Sequence, residues 1–123
     1  MIKAASIGAL TAEIHEDRNL KTAEAVWRAL PMDGTANRWG EEIYFSTRVE
    51  APIEDGQEIV EVGSVAYWPP GKAICVFFGR TPVSTDERPR AASAVNVFGR
   101  ITGDISVLQK VRDGDRIAIE KLS

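Results

Sequence analysis

The 123-residue chain is poor in the side chains that most often carry chemistry. It has one cysteine, Cys75, and one histidine, His15. A single cysteine cannot close an intramolecular disulfide, which suits a reducing compartment. Catalytic zinc draws on several Cys, His or carboxylate ligands, so a histidine-based metal centre has almost nothing to draw on, and neither a metal nor an organic cofactor is expected. Basic residues do not exceed acidic ones: 15 against 18, a net charge of −3. The chain therefore lacks the positive field that gathers phosphate backbones, and nucleic acid is not an expected partner. No apolar run approaches the ~20 residues of a membrane span. The opening residues, MIKAASIGALTAEIHE, lack the apolar stretch of a signal peptide. The expectation is a cytoplasmic protein with no membrane partner.

What is present is an ordinary globular balance, with 44% hydrophobic and 27% charged residues. The length suits one domain over residues 1–123. Such a chain buries roughly two thirds of its unfolded surface and needs no disulfide or metal to hold it. No repeat, heptad or long linker divides it.

The patterning is mostly that of short strands. Residues Ile2 to Ile14 read as one bent strand or two short ones, broken at Gly8. Leu20, Ala23, Val26, Trp27 and Leu30 recur at helical spacing, so an amphipathic helix is expected over residues 20–30, with Trp27 in the core and Asn19 or Asp17 as cap. Pro31 ends it. Met32 to Gly40 is turn-rich and reads as loop. Glu42 to Glu50 alternates, with Ile43, Phe45, Thr47 and Val49 on one side and Glu42, Tyr44, Ser46, Arg48 and Glu50 on the other, the pattern of a half-buried strand. A short strand is expected at Glu58–Val62, and others at Ser64–Trp68 and Lys72–Gly79, the last apolar enough to be central. Arg80 to Ser93 reads as a long loop, either functional or a surface excursion. Ala94–Ile101 and Arg116–Leu122 are further strands, with a short helix over residues 104–111 capped by Asp104. The sum is a mainly β closed barrel with two helices covering its ends.

Few residues stand out chemically. Cys75 lies in an apolar run and reads as a small core residue; a nucleophile there would need a base or cation beside it. His15 lies in a polar turn. Glu41 and Glu42 are adjacent on a strand, so they face opposite ways and are not a matched acid–base pair. Glu42, Tyr44 and Arg48 form either a site for a small polar ligand or a cross-strand charge pair. Trp39 and Trp68 stand at strand edges, where Trp68 either lines a groove or packs the rim.

Two segments carry a resemblance. Asn19-Leu20-Lys21-Thr22-Ala23-Glu24 is similar to the opening of the first cyclophilin helix. The run from Val97-Phe98-Gly99-Arg100-Ile101 to Val111 resembles the cyclophilin strand that is followed by a glycine and a short helix. Closer still is a family of small prokaryotic cyclophilin-like proteins without established activity. The residues carrying that match are Trp39 to Phe45, Val65 to Gly71, Ala73 to Pro82 and Asn96 to Ile101. The resemblance spans nearly the whole chain and implies the cyclophilin-like fold.

It does not carry over the activity. Arg48-Val49 resembles the Arg-Val of the cyclophilin catalytic segment. But Val76 precedes Phe77-Phe78 where cyclophilins have glutamine, and Ala94-Val95-Asn96 replaces the segment with their histidine. The leading expectation is a binding module for a peptide or small metabolite, its groove walled by Glu42, Tyr44, Trp68, Phe77 and Phe78, with Arg48 beside it. The first alternative is a weak peptidyl-prolyl isomerase, with Arg48 as the donor to the twisting amide and Phe77/Phe78 as the proline pocket. The second is a structural or interaction subunit of a larger metabolic enzyme, as a homodimer or with a protein partner.

Overall fold

The most apolar segment of the chain lies where its composition requires, in the middle of a sheet. A computed structural model describes residues 1–4 and 6–122. Its strands are β1 (Ile2–Ala4), β2 (Gly8–Leu10), β3 (Ala12–Ile14), β4 (Met32–Thr35), β5 (Asn37–Arg38), β6 (Glu42–Ser46), β7 (Gln57–Ile59), β8 (Ser64–Trp68), β9 (Ala73–Phe77), β10 (Arg90–Ile101) and β11 (Arg116–Ile119). The helix α1 spans Leu20–Ala29, and 3-10 turns span Pro69–Gly71 and Ile105–Lys110. All five residues of β9 are buried, between β8 and β6.

The large sheet runs β3-β10-β8-β9-β6-β5, with β7 pairing β10, and the small sheet runs β2-β1-β11-β4. The expected mainly β fold with two helices is present, and among the described residues its ladders form two sheets that hydrogen bonds do not close into one ring. Both edges of the small sheet nevertheless pass along the chain into the edges of the large one. β2 continues into β3 through Thr11, and β4 into β5 through Ala36. Strands that bend and switch sheets are how two packed sheets turn their corners. Backbone bonds hold each bend: Thr102 donates to the Thr11 carbonyl at 3.0 Å and Ala36 to that of Asp115 at 2.8 Å.

The segment Met32–Gly40, expected to be loop, contributes β4 and β5. Its turn-like composition is outweighed by pairing of β4 to β11 over four residues, Met32↔Ile119 to Thr35↔Arg116. Gly34 serves packing here, since a Cβ would come within 2.8 Å of the Phe45 ring. The alternating strand expected over Glu42–Glu50 ends at Ser46, and the long loop expected over Arg80–Ser93 stops at Pro89, where β10 begins against β7.

The helix packs with Thr22, Ala23 and Val26 inward, while Trp27, expected in the core, is 46% exposed under Lys121. Its N-terminus is capped from afar. Asn19 adopts a left-handed conformation, which asparagine tolerates, but makes no side-chain cap bond. Its amide instead donates to the Val97 carbonyl at 2.7 Å and accepts from the Asp55 backbone at 2.9 Å. The free N–H groups of the first turn are taken by Glu54, which accepts from Lys21 and Thr22 backbones and from the Thr22 hydroxyl. Buried Asn96 completes this network, donating to Thr22 Oγ1 and the Pro52 carbonyl and accepting from the Glu54 backbone, each at 2.9 Å. It pins the segment after β6 to α1 and β10.

Candidate functional site

Two apolar clusters lie on opposite faces of the large sheet, because side chains alternate along each strand. One face carries Ile43, Phe45, Ile74, Val76, Val65 and Tyr67 into the core between the sheets. The other carries Ala73, Cys75, Phe77, Ala66, Val95 and Val97, with Tyr44 and Trp68 packed against them. This second face is roofed by the start of β10 and the segment around Val60. Glu42 stands on it as well, opposite Phe77 in the β6–β9 register, while Tyr44 stands opposite Cys75.

A cavity of about 260 Å³ opens here, lined by Trp39, Glu42, Tyr44, Trp68, Cys75, Ala91, Ala92 and Val95. Local sequence sets each wall. Trp39 and Glu42 exchange both backbone bonds, at 2.9 and 3.2 Å, and so close a hairpin whose tip is Gly40-Glu41. Paired residues of this kind put their side chains on the same face. The tip needs glycine first: Gly40 has φ +60°, and a Cβ there would lie 2.9 Å from the Arg80 carbonyl oxygen. Trp68 is fixed by a bond from its indole Nε1 to Ser93 Oγ at 2.7 Å. Its ring also covers Gly71, where a Cβ would sit 2.9 Å from it.

Glu42 is only 5% exposed, and among the described residues no lysine, arginine or histidine lines the cavity or forms an ion pair with it. Burial pushes its carboxyl up to about 7, and the adjoining Cys75 thiol lowers it by a smaller amount. Burial, then the neighbouring Glu42 charge, hold the Cys75 thiol well above its ordinary range. Cys75 is therefore a protonated core thiol, 1% exposed, rather than a nucleophile. Glu41, at the hairpin tip, does not line the cavity, and Gln109 donates to its carboxylate.

The structure thus brings together Glu42, Tyr44 and Trp68 and adds Trp39 and Cys75 to them. Phe77 is fully buried in the layer beneath, and Phe78 belongs to the opposite cluster, under the Arg38 guanidinium. Arg48 is exposed beyond the end of β6 and does not line the cavity. Trp39 was within reach of sequence reasoning: a tryptophan and a glutamate flanking Gly-Glu is a hairpin signal that also pairs the two side chains.

A larger cavity, about 520 Å³, lies under α1 among Ile14, Val26, Trp27, Val65 and Phe98. Three of its rim carboxylates are already paired, Glu13 with Arg100, Glu24 with Arg28 and Glu120 with Lys3. It holds no buried polar group comparable to Glu42, which makes the smaller cavity the better candidate.

Residues 1–120 match the family profile described as Cyclophilin-like. The chain belongs to the cyclophilin-like family. This cyclophilin-like protein is also similar to a solved structure, the solution structure of the hypothetical protein AF2241 from Archaeoglobus fulgidus. The two share 46% identity over 98% of this chain and 92% of that one, with a TM-score of 0.81. A more distant likeness, fold only, is to McbB, solved in complex with tryptophan, at 15% identity and a TM-score of 0.72. It covers 98% of this chain but 43% of McbB. No curated protein matches the cyclophilin-like chain by sequence.

Proposed function

We propose that this protein is a binding module for a small metabolite, taken up in the cavity walled by Trp39, Glu42, Tyr44 and Trp68. The observation that carries this reading is the buried Glu42 carboxyl, without a basic partner among the described residues, at an apolar cavity with three aromatic walls. A folded chain buries a carboxyl without a countercharge only at a cost, and ligand pockets combine apolar walls with a few orienting polar groups. At about 260 Å³ the cavity falls below the range of drug-sized ligands, so a single-ring molecule fits it better than a peptide. The tryptophan bound to McbB is consistent with an aromatic metabolite. The isomerase reading has less support, because Arg48 and Phe77 do not share a groove.

Ala92 is exposed at the cavity wall, so Ala92→Trp fills the mouth without disturbing the core. A thermal-shift screen of single-ring metabolites, with the larger tryptophan alongside, should give hits on the wild type that Ala92→Trp loses. Hits retained by that variant would place binding elsewhere. A second reading, as a subunit of a larger assembly, is favoured by exposed Leu20, Trp27 and Leu122. Light scattering at micromolar concentration tests it for self-association.

A further inference from the structure

We infer that the ligand of the Glu42 cavity is a small organic cation, an amine carried on an apolar or aromatic body. The inference rests on the reading of this cavity as the binding site, and it names the ligand's chemistry. Three observations converge on it. The cavity has aromatic residues on several sides, Trp39, Tyr44 and Trp68. Ring faces carry negative potential and attract ammonium groups, most strongly where water is displaced. The one carboxyl in the lining, Glu42, has no basic partner among the described residues. The lining offers an anion no cationic side chain, so a carboxylate or phosphate ligand would be placed against Glu42 with nothing to offset the repulsion.

Backbone and side-chain bonds set two of the aromatic walls. The hairpin pair fixes the backbone of Trp39 against that of Glu42, and the Trp68 indole is held by Ser93 and by its seat over Gly71. The other titratable groups in the lining are Tyr44 on β6 and Cys75 on β9; β8 and β10 contribute none. An arriving ammonium therefore meets the Glu42 carboxylate as its only full countercharge there. A charge-assisted hydrogen bond is roughly twice as strong as a neutral one.

Three probes of similar size separate the possibilities: phenethylamine, 2-phenylethanol and phenylacetate, titrated by calorimetry at pH 7.5. Phenethylamine should bind at least about tenfold more tightly than the alcohol, a difference of ~1.4 kcal/mol. Phenylacetate should bind most weakly. In Glu42→Gln the amine should fall to the level of the alcohol, and the alcohol should be unchanged. Should that variant fail to fold, the same titration of wild type from pH 8 down to pH 5.5 replaces it. Amine affinity should then fall as Glu42 is protonated, and alcohol affinity should not. Equal affinities for amine and alcohol, or preference for phenylacetate, would overturn the cation assignment and leave the pocket standing. Failure of all three probes to bind, together with no hit in the metabolite screen, would remove the pocket reading and the inference with it.

Discussion

Replacing Glu42 by glutamine should make the unliganded protein more stable, and increasingly so as pH rises. In the folded chain the carboxyl is raised from 4.5 to about 7, chiefly by burial. Its protonated form is the one that folding favours. The stability tied to that proton is therefore complete below the ordinary carboxylate range and is lost as pH climbs through 7. Integrating the difference in proton binding gives a penalty of about 1 kcal/mol near pH 5, about 2 near pH 6 and about 3 from pH 7 upward. Glutamine has nearly the same shape and never ionises. The Gln variant should match wild type near pH 4 and exceed it by about 3 kcal/mol above pH 7. Urea unfolding at steps between these limits, plotted as variant minus wild type, isolates the Glu42 contribution because other titrations cancel. A difference that stays flat with pH, or a variant less stable at pH 8, would refute the reasoning. Either result would mean that the carboxyl is hydrated or paired in the folded chain. Phenethylamine at one fixed concentration should stabilise the wild type at high pH more than it stabilises the variant, by about 1.4 kcal/mol for a tenfold difference in affinity.

Other substitutions test the frame around the cavity. Gly71→Ala drives a methyl against the Trp68 ring, so ligand affinity should drop several-fold in titrations while far-ultraviolet circular dichroism stays unchanged. Gly40→Ala forces a positive φ on alanine beside the Arg80 carbonyl and should cost about 1–2 kcal/mol, read from the urea midpoint. Asn96→Ala strands the Glu54 N–H and the Pro52 carbonyl and should cost about 3 kcal/mol by the same measurement. Glu54→Ala uncaps α1 and should cost about 1–2 kcal/mol at neutral pH. Bonds from Thr22 and Lys21 outweigh partial burial and hold the Glu54 carboxyl below its usual range. That cost should therefore shrink as acid protonates the group.

Strands with a strong local signature were legible in the chain. β8 has the bounds its composition suggests, and β9 lies central and covered, because an unbroken apolar run has no solvent face to offer. The cyclophilin-like fold was legible too, since four short segments in order constrain topology more than any one motif. What was not legible depended on distant partners. Met32–Thr35 has turn-like residues and becomes a strand only because β11 pairs with it. Trp27 has helical spacing with Ala23 and Leu30, but the inward stripe is centred on Thr22, Ala23 and Val26 and turns Trp27 outward. The capping of α1 by Glu54 could not be read locally, since the carboxylate comes from more than thirty residues away. For the site, alternation correctly grouped Glu42 with Tyr44. The same alternation suggested a solvated face, whereas the start of β10 walls it and Glu42 is a buried carboxyl. Arg48 was grouped with them only while the strand was assumed to run on past Ser46.

The three tryptophans provide the most direct test of the central claim, because they divide between the two cavities. Their indole N–H resonances, assigned by single substitutions in ¹⁵N-labelled protein, should be followed while phenethylamine is added. The resonances of Trp39 and Trp68 should move together and saturate, and that of Trp27 should stay in place. Movement of Trp27 alone would put the ligand under α1 and contradict the assignment of the site to Glu42.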